Sequence, residues 1–407
     1  MHHRSFVRRF RMFGYVGALV LLLCLTVSQG QSQTVPATQP PTMRGGGDSG
    51  TAEQDGLTPQ QYQKIQAALA QSRAQLVRQG KLSPVHTSAA VLFAWPLHPA
   101  PGVTLDYGYH GVSNFVDHNS NFPDQLLDYN NGRRTYDLAT GYNHAGTDFI
   151  LTPFAWKKMD AGEIQIVAAA DGVILLKQDG NFDRNCSMGD ASWNAVYIQH
   201  SDGTVAWYGH MRKDSLTAKL VGDTVAMGEY LGLVGSSGSS TIPHLHFEVH
   251  TANDTITDPF VGPANPSIST SLWQTQPAYY DSAINHLGTG TAPPVFPPCP
   301  QPETSNEQTR FDPGSTIYFT SYHRDEIAGQ DSQYRIYRPD NSLYTEWTRR
   351  STAEYMTWSY WYNPITIAPT EPLGLWRFEV IYQNRTYQHT FYIGSFTQHL
   401  ALPIIQN

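Results

Sequence analysis

The sequence predicts a mainly β protein with a short N-terminal helix, from its composition and from patterns along the chain. The 407 residues include 33 Gly and 27 Pro, with 12% aromatic and 15% charged residues. This composition favours short strands and turns over long helices. Short apolar runs between turn residues recur in two blocks, near 164–250 and 316–394. Because the chain is also too long for one typical core, two globular domains are expected.

Residues 1–30 are predicted to be a secretory signal peptide. Four arginines precede the apolar run YVGALVLLLCLTV, and polar SQGQSQ follows it. This order is typical of export signals, and the run is short for a membrane span, although an uncleaved anchor is the alternative. Removal of this segment leaves 22 basic and 34 acidic residues, a net charge of −12, which argues against nucleic acid as a partner. A periplasmic or extracellular protein without a stable membrane span after cleavage is expected, of undetermined oligomeric state.

A flexible linker and a helix are predicted to follow the signal. Residues 31–56 are rich in Gln, Thr, Pro and Gly, which is typical of a linker. Thr58 suits the N-cap of a helix over 57–80, and Gln61 completes a capping box. Apolar residues recur at helical spacing until Gly80. Such a helix either docks at the edge of a domain or belongs to an inhibitory pro-segment.

The rest of the chain divides into two β domains and a linker. Residues 90–265 are predicted to form an antiparallel β-sandwich or small barrel. Two long irregular stretches interrupt it, near 103–143 and 179–192, and long loops on a β scaffold commonly carry function. A Pro/Thr-rich linker at 266–305 precedes residues 306–396, where about seven alternating segments indicate an immunoglobulin-like β-sandwich.

Two cysteines remain after the signal peptide, Cys186 and Cys299. They can pair in an oxidising compartment, but their spacing does not decide whether they do.

The densest group of candidate metal ligands is HLHFEVH, residues 244–250. In a strand, His244, His246, Glu248 and His250 share one face, which is a poor core face. Residues two apart on a strand lie about 6–7 Å apart, so one imidazole can bind a metal while its neighbour reaches the metal's open position. For this segment alone, an ordinary structural strand is the alternative.

Two other segments supply complementary groups. YNHAGTDF places His144 four residues before Asp148, and both side chains are of zinc-ligand type. Gly146, between them, is expected to let the chain bend so that the two side chains converge. WYGHM places His210 at the end of a predicted strand.

Together these residues predict a catalytic zinc site. His144, Asp148 and His246 supply three protein ligands and leave a fourth position for water, the arrangement of catalytic rather than structural zinc. His210 and His244 would then handle protons or stabilise an oxyanion.

These segments also carry a family resemblance. HAGTD, WYGHM, VGDTVAMGEYLGLVGSSGSSTIPHLHFEVH and DPF, within roughly 92–262, closely resemble lysostaphin-type, LytM-like zinc endopeptidases. The resemblance implies a duplicated-hybrid-motif β fold, one zinc per chain and cleavage of peptide bonds in peptidoglycan. By motif position it implies three zinc ligands, a general base and a second catalytic histidine: His144, Asp148 and His246, then His244, then His210.

Some residues near these motifs are expected to have other roles. Ile242-Pro243 stands where family members usually have Gly-Pro, which is expected to alter a turn more than the chemistry. His200, before a predicted hairpin turn, is expected to be structural. Glu248 and His250 are expected to be surface strand residues, with support of the ligands as the alternative.

The predicted function is a secreted zinc metalloendopeptidase that acts on peptidoglycan cross-links or stem peptides, or on another glycine-containing peptide. Zinc-activated water would attack the carbonyl with acid–base help from histidine. The alternative is a non-catalytic wall-binding or hydrolase-activator module on the same fold. The bond that is cut and the role of the C-terminal domain stay open; its aromatic segment MTWSYWYN suits either core packing or stacking on sugars.

Overall fold

A computed structural model of the chain describes residues 44–47, 56–84 and 89–395. The predicted signal peptide and most of the predicted linker at 31–56 lie outside these ranges. Within them the chain forms nineteen strands and two helices, which confirms the mainly β prediction. No helix in the described ranges combines the length and apolar character needed to cross a bilayer.

The domain predicted at 90–265 is built on two sheets. The larger is antiparallel, with seven strands in the spatial order β3 (His110–Asn114), β4 (Thr147–Leu151), β11 (His244–His250), β8 (Val205–Gly209), β7 (Ala195–Gln199), β6 (Gly172–Gln178) and β9 (Thr224–Val225). The smaller contains β10 (Tyr230–Leu233), β5 (Ile164–Val167) and β2 (Leu97–Pro99). A short helix, α2 (Ala155–Ala161), follows β4.

The two faces of the large sheet meet different surroundings because side chains alternate along each strand. Phe247 and Val249 of β11 join the main apolar core, together with Ile166 of β5 and Leu231 of β10. The intervening polar residues of β11 therefore lie on the opposite face. That face carries the candidate ligands.

Helix α1 (Pro59–Arg78) covers part of this second face. Its buried residues Ile65, Leu69 and Leu76 pack in a second apolar cluster that includes Trp193 and Trp207 of the domain. The helix begins with the capping box expected from the sequence, in which the Thr58 and Gln61 side chains accept each other's backbone N–H groups. Helix and domain therefore share a core.

The C-terminal region consists of two facing sheets. The first has the order β1 (Arg44–Gly47), β17 (Tyr355–Thr366), β14 (Thr316–Ile327) and β12 (Ala283–Gly290). The second has the order β13 (Arg310–Phe311), β19 (Arg385–Ile393), β18 (Gly374–Tyr382), β15 (Asp331–Tyr337) and β16 (Leu343–Arg350). Both contribute to one apolar core, which contains Phe319, Ile336 and Trp376. The immunoglobulin-like classification of this sandwich stays a prediction.

Two segments expected to be linkers contain strands. β12 lies within 266–305 and pairs with β14, and its residues Ile284 and Leu287 are buried in the C-terminal core. β1 lies within 31–56 and pairs with β17. AINHLGTG and RGGG have no clear period-two pattern, so the sequence did not indicate strands there. Their strand conformation is stabilised by pairing with a neighbouring strand.

The aromatic segment of β17 lies partly outside the C-terminal core. Trp358 and Tyr360 are half-buried and stack with their ring centroids 6.2 Å apart. Phe296 packs against both, at 5.1 Å and 4.8 Å. These two rings thus pack on the segment between the domains rather than inside the sandwich.

A buried ion pair joins the two β domains. A guanidinium nitrogen of Arg134, in the 103–143 stretch, lies 2.9 Å from Oδ1 of Asp325 on β14, and both side chains are at most 5% exposed. The hydroxyl of Tyr355 donates to the same oxygen at 2.9 Å. Burial alone would lower the pKa of Arg134, but the Asp325 carboxylate and the neighbouring tyrosines together outweigh burial and raise the pKa. The C-terminal domain is therefore anchored to the loop that leads to His144.

Arg134→Met is expected to lower the free energy of unfolding by about 3–5 kcal/mol, because it leaves a buried carboxylate without its cation. Arg350→Met is the matched control, since Arg350 bonds Asp331 with both side chains well exposed, and exposed ion pairs contribute little to stability. Chemical denaturation of both variants measures the difference. Equal losses would contradict a stabilising role for the buried pair.

The two cysteines that follow the predicted signal peptide form a disulfide. Cys186 and Cys299 are bonded, with Cα atoms 5.8 Å apart and a sequence separation of 113. Beside it, Arg184 donates from Nε to the carbonyl of Pro300 at 2.9 Å. The 179–192 loop is thereby tied to the segment between β12 and β13.

Candidate metal centre

Strand pairing brings two of the predicted ligands side by side. β11 runs antiparallel to β4, and the Cα of His246 lies opposite that of Asp148. His144 comes three residues before β4 and reaches the same point. All three residues are at most 1% exposed. The sheet thus converts a separation of 98 residues between Asp148 and His246 into direct contact.

One atom from each of these residues converges on a common point. Nε2 of His144 lies 3.0 Å from Oδ2 of Asp148 and 3.3 Å from Nδ1 of His246. Nδ1 of His246 lies 3.0 Å from Oδ1 of Asp148. Tetrahedral zinc ligands at about 2.0–2.1 Å from the ion lie roughly 3.3 Å apart. The donor types and their spacing therefore fit a zinc-sized ion.

The His144 ring is oriented by its other nitrogen. Nδ1–H donates to the backbone carbonyl of Phe115 at 2.7 Å, which leaves hydrogen off Nε2 in the neutral ring. Tyr136 stacks on the imidazole, with ring centroids 4.8 Å apart. Such partners of metal-binding histidines fix the tautomer and the ring direction.

Glu248 orients the His246 ring. Nε2–H of His246 donates to Oε2 of Glu248 at 3.2 Å, so Nδ1 is the metal-facing atom. A carboxylate that accepts from a histidine ligand also raises the basicity of that ligand. Burial alone would raise the pKa of Glu248, but His250 and His246 outweigh it and lower the pKa to about 2. The carboxylate is therefore ionised at neutral pH.

The expectation that Glu248 and His250 are surface strand residues is wrong. Both are 1% exposed, and Nε2–H of His250 donates to Oε1 of Glu248 at 2.7 Å. The sequence signal for a supporting role of Glu248 was its position, because it follows His246 by two residues and lies on the same strand face.

Asn114 is a supporting residue that the sequence analysis missed. It lies on β3, is fully buried, and donates from Nδ2 to Oδ2 of Asp148 at 2.9 Å. This bond orients the carboxylate. No motif marks Asn114, since its position depends on the pairing of β3 with β4.

The two histidines predicted to be catalytic lie beside the ligands. The rings of His210 and His244 are 4.5 Å apart between centroids, and Nε2 of His244 is 3.7 Å from Oδ1 of Asp148. Each donates Nδ1–H to a backbone carbonyl, His210 to Ser237 at 2.6 Å and His244 to Ile242 at 2.7 Å. Each Nε2 is therefore the atom suited to proton exchange.

The backbone around these histidines is specialised. His210 has φ of 58°, in the left-handed region, which costs a non-glycine residue about 1–3 kcal/mol and is typical of functional sites. Ile242, at the position of the family's usual glycine, contributes only its carbonyl to His244. His200, expected to be structural, is buried away from this group and bonds the carbonyl of Asp171 at 2.8 Å through Nδ1.

Gly146 is needed for space rather than for backbone freedom. Its φ is not positive, but a Cβ there would lie 2.7 Å from Nε2 of His246 and 2.8 Å from the carbonyl of Phe247. Gly146 is therefore required because it packs closely against a ligand, and not, as expected, because it lets the chain bend.

Gly146→Ala is expected to displace the His246 ring and weaken metal affinity by roughly 10–100-fold, the loss typical when a ligand's support is disturbed. Gly189→Ala is the control, since a Cβ at Gly189 meets open space. Metal titration of both variants tests this. Wild-type affinity in Gly146→Ala would show that the ring can shift without consequence.

The residue that follows the 179–192 loop contacts the centre. The Gly189 N–H donates to Oγ of Ser239 at 3.1 Å. Trp193, just after the loop, packs against His210 at 5.1 Å and His246 at 5.8 Å between ring centroids. The loop that the disulfide holds thus ends beside the metal centre.

This geometry defines a class of metal site, and comparison with known proteins supports that class. The family model of peptidase family M23 matches residues 143–259, which contain all five histidine and aspartate residues of the centre. The domain that carries the centre is therefore similar to this metallopeptidase family, and the resemblance to lysostaphin-type enzymes is confirmed.

Individual relatives match over this domain. Glycyl-glycine endopeptidase ALE-1 of Staphylococcus capitis is 34% identical over 122 residues, 29% of this chain and 28% of the relative. Peptidoglycan DD-endopeptidase ShyC of Vibrio cholerae is 31% identical over 108 residues, 26% of this chain and 19% of the relative. The chain thus spans less than a third of the length of these relatives. The solved catalytic domain of lysostaphin from Staphylococcus simulans is 29% identical, with 31% of this chain and 83% of that chain covered and a TM-score of 0.23.

Proposed function

We propose that this chain is an exported zinc metalloendopeptidase that hydrolyses peptide bonds in peptidoglycan, in cross-links or stem peptides. The observation that carries the proposal is the convergence of ligand atoms from His144, Asp148 and His246 with two further buried histidines beside them. A module that only binds cell wall has no need of paired histidines next to a complete ligand set.

One zinc ion per chain suits the three donor atoms. Nε2 of His144, Nδ1 of His246 and the Asp148 carboxylate would hold it, which leaves a fourth position open as in catalytic zinc sites. A bound zinc supplies Lewis acidity, which polarises a peptide carbonyl and lowers the pKa of water. The Phe115 carbonyl and Glu248 keep the two ligand rings in their metal-binding orientation.

His244 and His210 are assigned to proton transfer. His244 is the general base, since its Nε2 is directed toward the ligand group, 3.7 Å from Asp148. His210 is the second catalytic histidine, which stabilises developing negative charge or returns a proton to the leaving amine. Their Nδ1 bonds to backbone carbonyls hold both rings in place, and positioned acid–base groups contribute about 10²–10⁴-fold in rate.

The proposed substrate class rests on the named relatives. One relative is named for glycyl-glycine bonds and the other for peptidoglycan. In this chain the 179–192 loop leads into Trp193, which contacts both a ligand and a catalytic histidine. We assign the choice of peptide to this loop.

Export is supported by the N-terminal sequence and by the disulfide. Residues 1–30 have the order of a signal peptide. The Cys186–Cys299 bond belongs to an oxidising compartment, because cytosolic thiols are kept reduced. Periplasmic or extracellular location follows, where peptidoglycan is accessible.

The test is digestion of peptidoglycans of known cross-link chemistry and of oligoglycine peptides, with mass spectrometry of the fragments. Cleavage at a defined peptide bond, abolished by a chelator and restored by zinc, is the expected result. His246→Ala serves as the inactive control. A zinc-loaded protein that releases no fragment from any of these substrates would support the non-catalytic module instead.

A further inference from the structure

Helix α1 reaches the hydrogen-bond system behind the metal centre. The hydroxyl of Tyr62, in the first turn, donates to Oε1 of Glu248 at 2.6 Å and lies 3.1 Å from Nε2 of His250. Tyr62 is 186 residues from Glu248 in sequence. This contact connects the segment before the peptidase domain to the support of a metal ligand.

Glu248 divides its two oxygens between the ligand and the helix. Oε2 accepts from Nε2 of His246 at 3.2 Å, while Oε1 accepts from Tyr62 at 2.6 Å and from His250 at 2.7 Å. The carboxylate is buried, so its orientation is determined by these donors rather than by water. Whatever holds Oε1 in place also holds Oε2 toward the ligand.

We propose that Tyr62 is a positioning residue through which α1 sets the metal affinity of the site. Its hydroxyl fixes the Glu248 carboxylate, and the carboxylate fixes the His246 ring with Nδ1 toward the metal. This inference rests on the proposed zinc site. It gives a role in that site to a helix outside residues 143–259, the segment that matches the family model.

The helix is rigid enough for this role. The Tyr62 ring packs on Trp207 at 5.2 Å and on His250 at 5.8 Å between centroids. Behind it, Ile65 and Leu69 are buried in the cluster shared with the sheet. Support from a packed helix is precise, because a site held by rigid elements keeps its geometry better than one held by loops.

Tyr62→Phe tests the contact with the least disturbance, since it removes one hydroxyl and keeps the ring. Ser72→Ala is the matched control: Ser72 lies on the same helix and donates its hydroxyl to the carbonyl of Leu175 on β6, at 2.6 Å. Zinc affinity, measured by competition with a chromophoric chelator, and the visible spectrum of the cobalt-substituted protein are the readouts.

Tyr62→Phe is expected to weaken zinc affinity roughly three- to tenfold and to shift the cobalt spectrum. Glu248→Gln is expected to weaken affinity by 10–100-fold, the range typical of groups that bond a ligand directly. Ser72→Ala should match the wild type in both readouts. These variants address the contact itself, whereas retention of zinc by His246→Ala would refute the proposed metal site.

Wild-type zinc affinity and an unchanged cobalt spectrum in Tyr62→Phe would overturn the inference. Equal losses in Tyr62→Phe and Ser72→Ala would also overturn it, because they would indicate general loosening of α1 rather than a specific contact.

Discussion

Replacement of His246 by alanine is expected to abolish metal binding and peptide hydrolysis together. His246 supplies one of three converging donor atoms, 3.0 Å from Asp148 and 3.3 Å from His144. Its loss leaves two protein ligands, fewer than catalytic zinc sites use. The effect should therefore exceed the 10–100-fold loss typical of supporting residues. Metal analysis of the purified variant and a hydrolysis assay measure the two effects.

The control for this variant is His200→Gln. His200 is as buried as His246, but it bonds the Asp171 carbonyl near a hairpin turn rather than the metal centre. This variant should keep both metal and activity. A His246→Ala protein that still carries metal and cleaves peptide would show that the ligand assignment is wrong.

Replacement of His244 by alanine is expected to separate binding from chemistry. His244 lies two residues before His246 on the same strand face, and its Nε2 is 3.7 Å from Asp148, but it is not part of the converging His144, Asp148 and His246 group. The variant should keep its metal and lose about 10²–10⁴-fold in kcat, the usual contribution of a positioned acid–base group. Zinc content and steady-state kinetics on the same sample test both parts.

Two results would contradict this assignment. Loss of zinc from His244→Ala would make His244 a ligand, and an unchanged kcat would remove it from the chemistry. His210→Ala provides the comparison, since His210 is anchored in the same way, through Nδ1 to a backbone carbonyl. A loss of kcat with metal retained is expected there as well.

The convergence of the three candidate ligands could be predicted because strand periodicity and motif order both constrain it. Alternation along HLHFEVH predicted that His244 and His246 share one face of the strand. In the structure, Phe247 lies on the other face and is buried in the main apolar core. The HAGTD motif supplied His144 and Asp148, which lie beside His246 because β4 pairs with β11.

Features that depend on tertiary contact could not be predicted in this way. Asn114 orients Asp148 only because β3 pairs with β4. The reason for Gly146 is the proximity of a ring from a strand about one hundred residues later. Strand β12 has weak strand character by itself and is ordered by its pairing with β14. The partner of Cys186 likewise required coordinates.

The C-terminal domain is an anchored part of the molecule rather than a tethered one. Arg134 binds Asp325 in a buried pair, and the same stretch of chain continues to the ligand His144. The aromatic rings of Trp358 and Tyr360 pack against Phe296 between the domains. The C-terminal domain is therefore in direct contact with the chain segment that leads to the metal centre.

The zinc content of the purified wild-type chain, determined by elemental mass spectrometry beside His244→Ala and His246→Ala, tests the proposed metal site most directly. One zinc per chain is expected in the wild type and in His244→Ala, and none in His246→Ala. Equal zinc in all three proteins, or a zinc-free wild type that cleaves peptidoglycan, would refute the proposed site.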